Sequence, residues 1–122
     1  MNLKECYDVL GGNYESVTQR LMNEKIVSKF VIKFLSDDSF NLLNESIKEK
    51  KYNVSFRAAH TIKGICQNLD FTRLFESSNK LTELLRSGVY NENEIAGLFN
   101  DVERDYNITV SAIEQFRNSN NL

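Results

Sequence analysis

Apolar residues recur every three or four positions along almost the whole chain, and no stretch alternates apolar with polar residues as a half-buried strand would. Leu3, Cys6, Tyr7 and Leu10 predict a short amphipathic helix. Gly11-Gly12 ends it, because glycine supplies the left-handed backbone used at helix stops. Asn13 can cap a second short helix carrying Tyr14, Val17, Leu21 and Met22, which either runs on into residues 24–35 or bends near Asn23-Glu24. Ile26, Val27, Phe30, Val31, Phe34 and Leu35 predict a helix buried on a broad face. Ser36-Asp37-Asp38-Ser39 is a polar break. Phe40, Leu43 and Ile47 then mark further helix, running out into Lys48-Glu49-Lys50-Lys51, where lysines suit the C-terminal end of the helix dipole.

Asn53 reads as the cap of the next helix, whose inward side is Ala58, Ile62, Ile65, Cys66 and Leu69. Asp70 interrupts it. Phe71, Leu74, Phe75, Ser78, Leu81 and Leu85 then form a stripe backed by Glu76, Asn79, Lys80 and Glu83, and Ser87-Gly88 stops it. Asn91 with Glu94 three positions on is a variant capping box. The last stripe is Ile95, Leu98, Phe99, Val102, Tyr106, Val110, Ile113 and Phe116, followed by a polar tail that should fray. The expected fold is all-α: one domain over residues 1–122, an antiparallel four-helix bundle with short additional N-terminal helices. The main helices are expected at 24–50 (either continuous or broken near residue 36), 53–69, 71–86 and 91–117.

Composition narrows the function more than the fold. A chain of 122 residues can bury a working core, and the absence of proline leaves few helix breakers. A formal net charge of −2 gives no support to nucleic-acid or membrane-surface binding. No apolar run approaches the roughly 20 residues of a membrane span, and Met1-Asn2-Leu3-Lys4-Glu5-Cys6 lacks the apolar core of a signal peptide. Cys6 and Cys66 form no Cys-x-x-Cys pair and are expected to be free thiols in a reducing cytoplasm, with Cys66 as inert packing.

The candidate chemistry rests on His60, the one histidine. At about 100° per residue it lies roughly 200° around the helix from Ile62, away from the core. Phe56, Arg57, Lys63, Gly64 and Gln67 share its face. A metal site is not supported: there is no cysteine cluster, and Arg57 stands where an inward Glu-x-x-His pair needs an acid. A hydrolase triad would need an orienting carboxylate beside His60, but the neighbouring side chains are cationic. No Gly-x-x-x-x-Gly-Lys phosphate loop is present either. What remains is His60 as the nucleophile, since a neutral imidazole attacks without an external base. A phosphoryl group carried there brings about two negative charges. Lys63 at i+3 is spaced to meet it with a charge-assisted hydrogen bond. Gly64 at i+4 costs about 1 kcal/mol of helix stability relative to alanine; its use is to let another surface approach closely. Phe56, one turn earlier, suggests an apolar contact for that surface.

Ala59-His60-Thr61-Ile62-Lys63-Gly64, followed by Asn68-Leu69, resembles the signature of histidine-containing phosphotransfer (HPt) domains. The similarity covers most of the chain: Ile26-Val27-Ser28-Lys29-Phe30 with Phe34-Leu35 resembles the apolar helix before the histidine, and Leu74 and Leu81 fit the element after it. The resemblance implies a helical bundle that relays phosphoryl groups between receiver-domain aspartates in multistep two-component signalling, or accepts them from a sensor or hybrid histidine kinase. His60 would be phosphorylated through Nε2, Lys63 would hold a phosphoryl oxygen, and Gly64 would leave room for the receiver, with Phe56, Arg57 and Gln67 in the docking face. The chain would hold no cofactor, the magnesium belonging to the receiver. It would be a cytoplasmic phosphoprotein, a carrier and not an enzyme, with no ATP site or autokinase activity and no nucleic-acid or membrane partner. Two positions depart from the family. Asp70 stands where glycine is usual, and is expected to tolerate the turn and cap the following helix. Thr82 stands where Glu or Gln often orients the other imidazole nitrogen, with Glu83 or a water as substitutes. The rival functions are a non-catalytic helical adaptor using the Phe56 face and a phosphoacceptor module carried within a kinase.

Overall fold

The computed structural model describes residues 1–122. It contains seven α-helices and no strand: α1 (Leu3–Leu10), α2 (Tyr14–Leu21), α3 (Glu24–Lys33), α4 (Ser39–Lys48), α5 (Tyr52–Leu69), α6 (Thr72–Ser87) and α7 (Glu92–Ser119). The long helix expected over 24–50 is two helices joined by a 3₁₀ turn at Phe34–Ser36. Asp37 is extended there (ψ 132°), and its Oδ1 accepts the Ser39 N–H at 2.9 Å, which starts α4. Helices α4, α5, α6 and α7 form the bundle, each packed on the next in chain order, while α1 lies along α7 and α3 touches α5 and α7. Short connections make these neighbours antiparallel. At 28 residues, α7 runs about 42 Å and serves as the common wall.

Caps fall where local chemistry puts them. Asn2, Asn13, Asn23 and Asn91 each accept a backbone N–H at the start of their helices. Gly11 and Gly88 stop α1 and α6 in the left-handed conformation. Two expected caps are displaced. Asn53 lies inside α5, because Lys50 takes φ 57° and the Lys51 N–H closes back on Ser46 O at 2.9 Å, so the cap position falls two residues earlier, at Lys51. Asp70 does not cap α6, whose cap position is Phe71; it ends α5 in the left-handed region at φ 56°.

Seven rings run through the interior in sequence: Tyr14, Tyr7, Phe71, Phe34, Tyr106, Phe40 and Phe99, with successive centroids 4.1–6.3 Å apart. They tie the N-terminal helices to α4 and α7 through edge-to-face and stacked contacts. Ala59 joins the inward side of α5 at full burial, beside Ala58, Ile62 and Cys66. Ile26 and Phe30, expected in the core, stay 42% and 45% exposed, because α3 buries only Val27 and Val31, and Met22 is 87% exposed at the left-handed cap that ends α2. Periodicity assigned these residues to one side of a helix; no second helix covers the margin of that side.

Buried side-chain polar atoms are all partnered. Ser46 and Ser55 share a 2.7 Å hydrogen bond between α4 and α5, and Ser78, Thr82 and Thr109 bond the carbonyl four residues back. Both cysteines are free and buried. Burial pushes the Cys6 thiol from 9.0 up to about 11 and the Cys66 thiol higher still, which keeps both neutral and unreactive near neutrality. No helix is long and apolar enough to cross a membrane.

Candidate functional site

The site lies on the outer face of α5, where α6 runs beside it. Because Ala58, Ala59 and Ile62 are drawn into the core, the turn between them carries His60 outward, and the imidazole is exposed. It forms no side-chain hydrogen bond; its closest aromatic neighbour is Phe56, ring centroids 6.0 Å apart and tilted by 48°. Over Gly64 the surface is open: a Cβ placed there would meet nothing within 4 Å. A neighbouring helix therefore does not explain this glycine. Arg57 and Gln67 are exposed on the same face.

Lys63 is less available than its spacing suggests. Its side chain is only 21% exposed, and Nζ lies 3.4 Å from Glu83 Oε1 on α6. The other carboxylate oxygen of Glu83 accepts from Arg86 Nε at 3.2 Å. Arg86 in turn places its guanidinium carbon 5.0 Å from the centre of the half-buried Phe56 ring, a cation–π contact. Phe56 is thus partly sheltered within the molecule as well as lining the candidate docking face.

Neither residue expected to orient His60 does so. Thr82 is fully buried and its hydroxyl donates to Ser78 O at 2.7 Å, one turn back on its own helix. Glu83 is engaged by Lys63 and Arg86. A threonine at this position is too short to reach across, so its hydroxyl bonds the nearest carbonyl instead. The exposed imidazole has the Phe56 ring 6.0 Å away and no hydrogen-bond partner on either nitrogen.

Arg86 was not among the residues singled out from sequence. Its signal was present, in that Glu83-x-x-Arg86 is an i,i+3 pair on the exposed side of α6. Its proximity to Phe56 depends on how α5 and α6 pack. No group of three or more His, Cys, Asp or Glu side chains comes together as a metal site.

On the other flank of α5, Ile65, Asn68 and Leu69 meet Phe30, Lys33 and Phe34 around a half-open cavity of about 590 Å³. Its far rim is Arg20, held by Asn68 O at 2.8 Å and by the Asp70 carboxylate. His60 thus stands between a charged flank toward α6 and a largely apolar one toward α3. In comparisons with known proteins, no family model, curated protein or solved structure matches the chain.

Proposed function

We propose that this protein is a phosphoryl carrier of the histidine phosphotransfer type, with His60 as the acceptor. The observation that carries the reading is the His60 imidazole itself: exposed, without a hydrogen-bond partner, beside an open glycine surface and one turn from Lys63. The Ala-His-Thr-Ile-Lys-Gly resemblance points the same way. In the reaction, the Nε2 lone pair attacks the phosphorus of an acyl phosphate on a docked receiver. The N–P bond forms as the P–O bond breaks, and the receiver keeps a free carboxylate. The Nδ1 proton stays on the ring or passes to solvent. The reverse sequence delivers the group to another aspartate. Phosphoryl transfer depends on positioning and charge stabilisation. This chain contributes an in-line nucleophile and Lys63, while the receiver contributes magnesium. The carrier would work in the cytoplasm and would accept phosphoryl groups without binding ATP.

The test is incubation with a phosphorylated receiver domain. Acid-labile phosphate should move to the wild-type chain and not to His60→Gln. Lys63→Ala should slow transfer or shorten the lifetime of the phosphohistidine while the bundle stays folded. The adaptor reading has its own support in Phe30, partly exposed where it lines the α3 cavity, and in the partly exposed Ile26 one turn before it. It takes over if no receiver or histidine kinase labels the wild type.

A further inference from the structure

Four side chains from two helices form a circuit beside His60. The imidazole faces Phe56 at 6.0 Å, Arg86 lies over Phe56 at 5.0 Å, and Glu83 joins Arg86 (3.2 Å) to Lys63 (3.4 Å), which stands three residues from His60 on α5. Glu83 holds two cations of this neighbourhood, Lys63 and Arg86, while Arg57 on the His60 face forms no ion pair. Each contact is long for a charge-assisted bond, and the Glu83 and Arg86 side chains are both 49% exposed, so neither pair is tightly locked.

A phosphoryl group on Nε2 changes the balance. It carries about two negative charges and three acceptor oxygens, against one charge on the Glu83 carboxylate. Like charges sharing the same cations repel, and an arginine fork suits phosphate oxygens at least as well as a carboxylate. Building on the carrier reading, we infer that Glu83 is an internal stand-in for the phosphoryl group. It holds Lys63 and Arg86 in place while His60 is bare, and phosphorylation expels it. Arg86 then becomes a second cation on the phosphohistidine. The rearrangement moves a carboxylate outward on α6, so the surface presented to a partner differs between the two states by more than the phosphate alone.

The experiment uses the full chain and needs no partner. Phosphoramidate supplies the group: Nε2 attacks its phosphorus, the P–N bond breaks and ammonia leaves. Phosphorus NMR then follows the phosphohistidine and its hydrolysis, and nitrogen-15 NMR follows the Arg86 Nε–H. Phosphorylation should shift the Arg86 Nε–H resonance. Glu83→Gln should lengthen the phosphohistidine half-life about twofold to fivefold at low ionic strength, and high salt should shrink that gain. Arg86→Ala should shorten the half-life, and Arg86→Lys should restore part of it by returning charge without the fork. If His60 takes the label but the Arg86 resonance and all three half-lives match wild type, Glu83 and Arg86 are a solvated surface pair and the inference fails. A chain that phosphoramidate labels but no receiver or kinase does refutes the carrier reading instead. Failure of His60 to take a phosphoryl group from phosphoramidate, a receiver or a kinase overturns both.

Discussion

At the C-terminal end of α5, polar groups leaving the helix meet partners from segments far away in sequence. Two turns earlier on the same helix, the His60 imidazole meets none. The junction is dense. Tyr7 Oη donates to Leu69 O (2.7 Å), Asn13 N to Asp70 O (2.9 Å), and Arg73 N to Gly11 O (3.0 Å), while Arg20 reaches Asn68 O and the Asp70 carboxylate. Gly12 is squeezed there: a Cβ would lie 2.6 Å from the Tyr7 ring and 2.7 Å from Asp70 O. At Gly64 a Cβ would touch nothing within 4 Å. Where the backbone must be fixed, every buried group is paired and space is used up. At His60 the helix leaves a side chain unbonded, and four residues on it leaves open space over Gly64. The carrier reading rests on that difference.

The comparison is tested most severely by making one substitution at both places. Gly12→Ala forces backbone or ring displacement and should destabilise the bundle by about 3 kcal/mol, read as a lower midpoint in urea. A midpoint within error of wild type would mean the junction is not close-packed. The alkaline limb of stability comes next in size. Burial holds the Cys6 thiol at about 11 against an ordinary 9.0, and holds the Tyr7 phenol above its usual value. Both groups are therefore neutral in the folded state where the unfolded chain ionises. Their stabilisation is complete below pH 9 and is lost as pH rises through the raised values, about 2–3 kcal/mol by pH 11 for Cys6. Denaturation midpoints across pH 8 to 11 check the sign, and Cys6→Ala should flatten the slope.

Smaller effects sharpen the contrast. Tyr7→Phe leaves Leu69 O without its tyrosine donor and should cost about 1–2 kcal/mol by chemical denaturation. Gly64→Ala should act in the opposite direction to Gly12→Ala, stabilising by about 1 kcal/mol through helix propensity alone. If it destabilises, the surface over Gly64 is less open than the contacts indicate. His60→Gln should change stability by less than about 0.5 kcal/mol, since the imidazole is exposed and unbonded. That near-silence in a thermal melt lets its effect on phosphoryl transfer be read as chemistry.

The separation of helices was legible because its signals are local. The Asn13 and Asn91 caps, the Gly11 and Gly88 stops and the Ser36–Ser39 break act within a turn of chain, so their outcomes follow from neighbouring residues; the Asn53 cap failed because the turn at Lys50 moved the helix start. The outward direction of His60 was legible for the same reason, since one helix fixes the angle between it and Ile62. Coverage was not legible. Ile26 and Phe30 sit on the apolar side of α3, yet remain about half exposed, because burial needs a second surface and periodicity describes only the first.

Sequence alone therefore determined an all-helical chain with an outward histidine, a cation one turn on and an adjacent glycine. Each of those properties depends on rotation about a single helix axis. Tertiary packing decided which side chains surround that histidine. It placed Glu83 against Lys63 across 20 positions of chain and tied Tyr7 to Leu69 across 62. It also left Thr82 bonded to its own helix, out of reach of the imidazole. Contacts between helices depend on how far apart and in what register two elements settle, and those distances are set by the whole core at once, not by the spacing of residues along one strand of sequence.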